Sequence, residues 1–224
     1  MNWTTIWVTG KLASLTSMAL LLIGLPIAYW LTFSRWRWKF LVESLVALPL
    51  VLPPTVLGFY ILVVIGPQSP IGRFYTDLVG HPLPFSFHGL LFASILYSLP
   101  FAVQPFVAAF EQVDRKLIEA SWTLGVSKLM TFLTLIVPLS MAGLITGMIL
   151  SFAHTLGEFG VVLMVGGNIE GVTRTVSIEI YDEVQALNYE DAAKTSALLL
   201  AVSYAVLLLV YAVNRRVWSV WPQK

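Results

Sequence analysis

Five apolar stretches, each long enough to cross a lipid bilayer, restrict this chain to one class of fold. A bilayer core about 30 Å thick needs roughly 20 apolar residues at about 1.5 Å per helical residue. The stretches are Leu12 to Phe33, Leu41 to Ile65, about Leu83 to Phe110, Leu135 to Leu156, and Thr195 to Val213. Lipid offers no hydrogen bonds, so every backbone amide must pair within its own segment, and each stretch is expected to be helical. The chain reads as an all-α integral membrane protein. Its 224 residues are 58% hydrophobic and 11% charged, against about a quarter charged in an ordinary soluble domain, so no separate soluble domain fits beside the spans.

Charge sets the orientation. Arg35, Arg37 and Lys39 follow the first span, Arg115, Lys116 and Lys128 follow the third, and Arg215, Arg216 and Lys224 lie in the tail. With five spans these three groups share one side, and only Lys11, Arg73, Arg174 and Lys194 remain opposite. Nine of the thirteen basic residues therefore favour one face, which the positive-inside rule makes cytoplasmic, with the amino terminus outside and the carboxyl terminus inside. Trp36, Trp38, Trp218 and Trp221 flank the basic groups, where indoles suit the headgroup level. A net charge of +1 with scattered basic residues gives no support for nucleic-acid binding. Cysteine is absent, which excludes disulfides and thiolate metal sites. The first residues lack the basic region and cleavage site of a signal peptide, so the first apolar segment is expected to be retained.

One segment interrupts the apolar pattern. Glu111 to Thr134 lies on the basic face and divides at Gly125: Leu117, Ala120 and Leu124 form a stripe before it, with Asp114, Arg115 and Glu119 supplying charge, and Leu129, Met130, Phe132 and Leu133 follow it. Glycine tolerates left-handed backbone angles, so Gly125 suits a corner between two short helices. Pro138 is expected near the start of the fourth span, where its missing amide hydrogen matters least. Periodicity alone leaves two readings open, a helix resting on headgroups and a docking surface for something outside the membrane. No phosphate-cradling Gly-x-x-x-x-Gly-Lys-[Ser/Thr] occurs, so the chain is expected to bind no ATP of its own.

Glu119-Ala120-Ser121, three residues, Gly125, nine residues, then Leu135-Ile136-Val137-Pro138 resembles the EAA motif of binding-protein-dependent ABC importer permeases. Ser121, Leu135 and Val137 depart conservatively from that pattern. The resemblance implies a five-span MetI-like ABC permease fold, a single transmembrane domain over 1–224, with residues 111–134 as the cytoplasmic coupling helix. It also implies that Glu119 makes polar contact with an ABC ATPase subunit, that Ala120 and Ser121 permit close approach, and that Gly125 sets the bend. Implied partners are two ATPase subunits that bind the ATP, an external binding protein, membrane lipid and a second copy of the chain.

Further along, Leu48-Pro49-Leu50-Val51-Leu52-Pro53-Pro54-Thr55-Val56-Leu57-Gly58, Leu156-Gly157-Glu158-Phe159-Gly160 and Gly167-Asn168-Ile169-Glu170-Gly171-Val172-Thr173-Arg174-Thr175 are similar to stretches of molybdate permeases of the ModB type. Glu170 stands where that group has proline. Sulfate permeases share the Glu-Phe-Gly element and much of the proline-rich span, so the resemblance implies an oxyanion, with molybdate first and sulfate or tungstate as alternatives. Pro49, Pro53 and Pro54 each remove a backbone donor and can kink or open a helix; both a bent, gating, pore-lining helix and a static kink satisfy them. Glu158, with Phe159 and Gly160, ends a span. Its charge would repel a dianion, so a gate-closing or helix-anchoring hydrogen bond is the expectation there. His154 and Glu158 stand four residues apart, but two ligands do not make a metal site. Lys39 and Glu43 are expected to pair across one helical turn. Arg174 is read as a solvated loop residue. Phe159 to Gly167 is too short to cross, and Val176, Ile180, Val184 and Leu187 recur at helical spacing in an outer amphipathic helix, with that stripe as its packing face. Re-entry of this region into the membrane is the open alternative. A channel, a secondary transporter or a membrane enzyme would need mid-span charges or a nucleophile-and-base set, and no repeat, Gly-x-Ser-x-Gly or His-Glu-x-x-His is present.

Overall fold

The computed structural model describes residues 2–220, with side chains described to residue 212, so Arg215, Arg216, Trp218, Trp221 and Lys224 lie outside the described side chains. The described residues form helices and no strand. In chain order these are α1 (Trp3–Phe33), α2 (Lys39–Ala47, continued by a 3₁₀ turn Leu48–Leu50), α3 (Pro54–Ile65), α4 (Pro70–Val79), α5 (Phe87–Glu111), α6 (Arg115–Thr123), α7 (Lys128–Thr131), α8 (Val137–Leu139), α9 (Met141–Gly157), α10 (Gly160–Gly166), α11 (Val176–Gln185) and α12 (Tyr189–Val220). Three helices are long and apolar enough to cross a membrane, Trp3–Phe33, Phe87–Glu111 and Tyr189–Ala212, and the number rises to five if two bent pairs each count as one.

The centre of the molecule is α5, along which α1 runs parallel and α9 antiparallel. Leu12 of α1 packs near Leu90, and Gly24 of α1 lies against Phe106 and Val103. On α9, Gly143 sits on Ala109, Gly147 on Phe106 and Ala102, and Thr155 on Ser98. The α9 contacts with α5 fall on Gly143, Gly147 and Thr155, and Ser151 between them donates to the Ser17 hydroxyl of α1 at 3.4 Å, so a small residue stands at every fourth position. In lipid, where no hydrophobic force drives helices together, such a stripe lets two backbones approach until dispersion and interhelical hydrogen bonds hold them.

The core divides between two ends. At one, Leu31, Val46, Phe110, Val113, Ile118 and Ile136 cluster, joining the end of α1 to α2, α5 and α6. At the other, Ile65, Leu83 and Val165 cluster, joining α3, the approach to α5 and α10. The pair α2–α3 therefore runs from the α6 end to the opposite end, and so do α9 and α10 taken together.

Several boundaries differ from the sequence reading. Helix α1 begins at Trp3, nine residues before Leu12, because Asn2 caps it by accepting from the Thr4 amide; Lys11 lies within it, 4.4 Å from the Phe87 ring. The third helix opens at Phe87, capped by the Ser86 hydroxyl. The second stretch is no continuous bent helix: Lys39–Leu50 and Pro54–Ile65 are turned by 113°. With proline at 53 and 54, two consecutive amide hydrogens are missing, and Pro53 is extended at ψ 136°. The fourth stretch also turns, by 74° between Leu139 and Met141. Pro138 has no amide for the Thr134 carbonyl, and the register widens to a π turn over Phe132–Ile136 before the corner at Ser140.

Candidate functional site

Breaks in two helices meet inside the molecule. The first is the interval between the Leu48–Leu50 turn and α3; the second is Glu158–Phe159, between α9 and α10. Gly160 lies so close to Pro54 that a methyl group at 160 would meet the Pro54 Cβ at 2.6 Å, and Gly58 lies as close to Met164, where the distance would be 2.7 Å. These two contacts run in step, so α3 and α10 leave their breaks side by side and in the same direction.

A cavity of about 330 Å³ opens at the first break. Its walls are the backbone and side chains from Pro49 to Pro54, together with Tyr97 and Phe101 of α5 and His154 of α9. The three prolines singled out in the sequence thus come together with three aromatic groups that the sequence reading did not link to them. The His154 ring stacks on Phe101, with centroids 3.9 Å apart and planes 22° from parallel, and tilts against Tyr97 at 4.7 Å. Its Nδ1 is 2.9 Å from the Ser98 hydroxyl, which is 3.0 Å from the Thr155 hydroxyl, which donates to the Ser151 carbonyl at 2.9 Å. Thr155 has only one proton and uses it on Ser151, so Ser98 donates to Thr155 and the His154 Nδ1–H donates to Ser98. This order leaves His154 Nε2 as the ring's free nitrogen. The lining contains an imidazole, a phenol and the amino-terminal end of α3, where the helix dipole is positive, and no carboxylate. Broken helices that present their positive ends in this way suit an anion.

Glu158 occupies the second break without lining the cavity. It is 4% exposed, and neither carboxylate oxygen has a hydrogen-bond partner within 3.5 Å. A polar group that faces it is the Ser94 hydroxyl of α5, itself buried and without a partner at that distance. Phe159 turns the other way, packing against the cluster of Leu12, Leu90, Val162 and Ile178 and lying 5.0 Å from the Tyr181 ring. Of the residues the sequence singled out for the pathway, then, Pro49, Pro53 and Pro54 line the cavity, Gly160 packs against Pro54, Glu158 is buried at the second break, and Phe159 belongs to the packing.

The residues Glu119, Ala120, Ser121 and Gly125 sit together at the α6 end, away from the cavity. Asp114 caps α6 by accepting from the Lys116 amide at 2.9 Å, and Ile118, 3% exposed, anchors the helix in the core. Gly125 has φ +80°, the left-handed turn that glycine accommodates freely. After it, Ser127 caps α7, and Thr131 donates to the Ser127 carbonyl, so its oxygen accepts from the Ser121 hydroxyl at 2.9 Å. That bond ties the two helices into one corner. Leu117, Trp122, Leu124, Leu129 and Met130 are all exposed on this corner, Leu124 at 83%. The Leu117–Ala120–Leu124 stripe is therefore turned away from the protein.

The connection between α10 and α11 is more tightly bonded than its sequence suggests. Arg174 is not a free solvated cation: its Nε donates to Asn168 Oδ1 at 2.6 Å and its Nη2 lies 3.9 Å from Asp182. Glu170 accepts from the Asn2 side chain at 2.8 Å, and Thr9 accepts from the Val176 amide at 2.9 Å. Helix α11 buries Val176, Ile178 and Glu179, whereas Val184 and Leu187 are exposed. The packing face is rotated from the expected stripe because Glu179 turns inward to accept from the Asn2 amide at 3.1 Å. Lys39 and Glu43 pair as expected, at 3.6 Å.

Residues 21–218 match the family model described as binding-protein-dependent transport system inner membrane component. The molybdenum transport system permease protein ModB of Azotobacter vinelandii is 50% identical over 92% of this chain and 92% of its own length. ModB of Escherichia coli (strain K12) is 35% identical over 93% and 91%, and a probable sulfate transport system permease protein, cysT of Prototheca wickerhamii, is 31% identical over 90% and 79%. Among solved structures, an inward-facing form of the MetNI methionine ABC transporter superposes with a TM-score of 0.72 at 18% identity, covering 97% of this chain and 95% of that one, which bears on the fold. Both the all-helical broken-helix architecture and the length of these matches make this a multi-pass membrane protein, and the chain belongs to the family of binding-protein-dependent transport system inner membrane components.

Proposed function

We propose that this chain is the permease subunit of an ATP-driven importer whose cargo is a tetrahedral oxyanion, molybdate first, and that it does no chemistry itself. The half-identity to a molybdenum permease along nearly the whole of both chains carries the reading. Two copies line the pathway. Each presents its α6–α7 corner to a separate ABC ATPase subunit, which binds and hydrolyses ATP, while an external binding protein delivers the anion. In this reading five spans place the amino terminus outside and the carboxyl terminus in the cytoplasm, with α6 as the coupling helix. Glu119 meets the ATPase through its charge, Ala120 and Ser121 allow close approach, and Gly125 keeps the corner that turns ATPase motion toward α9.

The cavity at the Pro49 to Pro54 break is the section of pathway that this subunit controls. Anion passage there needs donors and a positive end without a fixed cation that would trap the cargo. The Tyr97 hydroxyl and the start of α3 meet that description. Sulfate is the competing cargo, favoured by the sulfate-permease relative. Uptake of molybdate, tungstate and sulfate by the transporter, reconstituted with its own ATPase and binding protein, separates them. Molybdate uptake, with tungstate following, is the expected result; uptake of sulfate alone overturns the assignment.

A further inference from the structure

We propose that α4 is an interfacial helix whose apolar side lies in the lipid of the leaflet at the α1 amino-terminal end, holding the far end of α3 at the membrane surface. The inference is independent of the cargo and of the coupling assignment.

Helix α4 is a defined element: the Ser69 hydroxyl caps its start by accepting from the Gly72 amide at 2.9 Å, and Gly80 ends it at φ +84°. At about 100° per residue its side chains fall into three sectors, each roughly a third of the circumference. One faces the protein. Gly72 is buried against the carbonyls of Ile65 and Gly66, Tyr75 packs against Ile61, Ile65 and Leu83, and the Tyr75 hydroxyl is 2.6 Å from His88 Nδ1. The second carries Arg73 and Asp77, both exposed. The third carries Ile71, Phe74 and Leu78, exposed at 50%, 71% and 74%.

A helix packed on one side of a water-soluble protein needs two faces. Three faces, protein, polar and apolar, are what a helix needs where protein, water and hydrocarbon meet. The apolar sector contains no charged or hydrogen-bonding side chain, which fits lipid tails better than a folded partner with a polar rim. The preceding helix likewise exposes large apolar side chains, with Phe59, Tyr60, Val63 and Val64 45% to 61% exposed. Helix α3 belongs to a pair with the hydropathy of a span, and only Gly66 to Ser69 separate it from α4.

The chain has no cysteine, so single substitutions Ile71→Cys, Arg73→Cys, Phe74→Cys, Asp77→Cys and Leu78→Cys can each carry a spin label in the full-length assembled transporter in liposomes. Relaxation by oxygen, which partitions into lipid, is compared with relaxation by a water-soluble nickel chelate. Labels at 71, 74 and 78 should respond several-fold more to oxygen, and those at 73 and 77 several-fold more to nickel. Nickel-dominated relaxation at all five positions would overturn the proposal in favour of a water-exposed face. Protection from both reagents at 71, 74 and 78 would overturn it in favour of a protein cover, either a second copy or the binding protein. The three apolar positions report separately, so loss of one labelled variant leaves the test intact.

Discussion

Glu158 poses the sharpest question at the scale of a single residue. Taking an ionised carboxylate out of water without a cation or donors costs several kcal/mol, yet the side chain is buried, with the Ser94 and Tyr97 hydroxyls as its polar neighbours. Its contribution is therefore shape and hydrogen-bonding capacity at the α9–α10 break, and charge is dispensable. Glu158→Gln keeps the first two and removes the third, so uptake and thermal stability in detergent should stay near those of the parent protein. Glu158→Ala leaves Ser94 without a neighbour and opens a void, and should lower stability by about 1–3 kcal/mol. If Glu158→Gln failed as badly as Glu158→Ala, the charge itself would be required and the anchoring role would be wrong. His154 supports a second test. Ser98→Ala removes the acceptor that fixes its Nδ1–H, so the ring loses its orientation toward the cavity and uptake should fall by about the tenfold that roughly 1.4 kcal/mol of a net hydrogen bond is worth.

Among the elements, the contact of α9 with α5 is the one on which the break depends. A methyl group on Gly147 would meet the Phe106 ring at 2.7 Å and the Ala102 carbonyl oxygen at 2.9 Å. The ring can swing, but a helix carbonyl cannot. Gly147→Val should therefore spread the pair and destabilise the protein by about 1–3 kcal/mol, read as a lowered Tm in detergent. Gly10→Ala, where nothing lies within 4 Å, should be neutral or stabilising by up to about 1 kcal/mol. Equal loss in both variants would mean that α9 does not depend on close approach. The small residues Gly143, Gly147, Ser151 and Thr155 were not read as a stripe in the sequence, and the prolines announced only a disturbance near 53. That signal did not give the 113° turn, because hydropathy is continuous across it. The break at Glu158–Phe159 was legible as the end of the fourth stretch, but not that a short helix, α10, packs beside α3 beyond it. Helix α4 was missed because its ten residues are too few to cross a bilayer and fall between two longer apolar stretches. The face of α11 was misassigned because Glu179 is buried through a bond to Asn2, a contact 177 residues distant that local periodicity cannot register.

On the scale of the whole molecule, the exposed α6–α7 corner and the cavity are separate, and the physical link between them is α9. The corner meets α7, the π turn and α8, and the chain turns 74° into α9, whose far end carries His154 and the Glu158 break. In the proposed coupling, a push on the corner would act on the cavity through a helix that packs closely on α5 and has little freedom except to rotate or shift along it. For this to work the corner must be stiff. Two features make it so, the Ser121–Thr131 bond at 2.9 Å and the left-handed Gly125. Nothing lies within 4 Å of where a side chain at 125 would begin, so substitution acts through the backbone alone. A β-branched residue is held out of the left-handed region by roughly 1–2 kcal/mol, whereas asparagine tolerates it. Gly125→Val should thus insert and bind its partners yet lose most uptake, with ATPase activity no longer stimulated by the loaded binding protein, and Gly125→Asn should retain both. Reconstitution with uptake and ATPase measured on the same vesicles checks this. A Val variant that transports normally would show that the corner is not the transmission element, and an Asn variant as impaired as Val would show that position 125 is constrained by contact with the partner instead of by its own backbone angle.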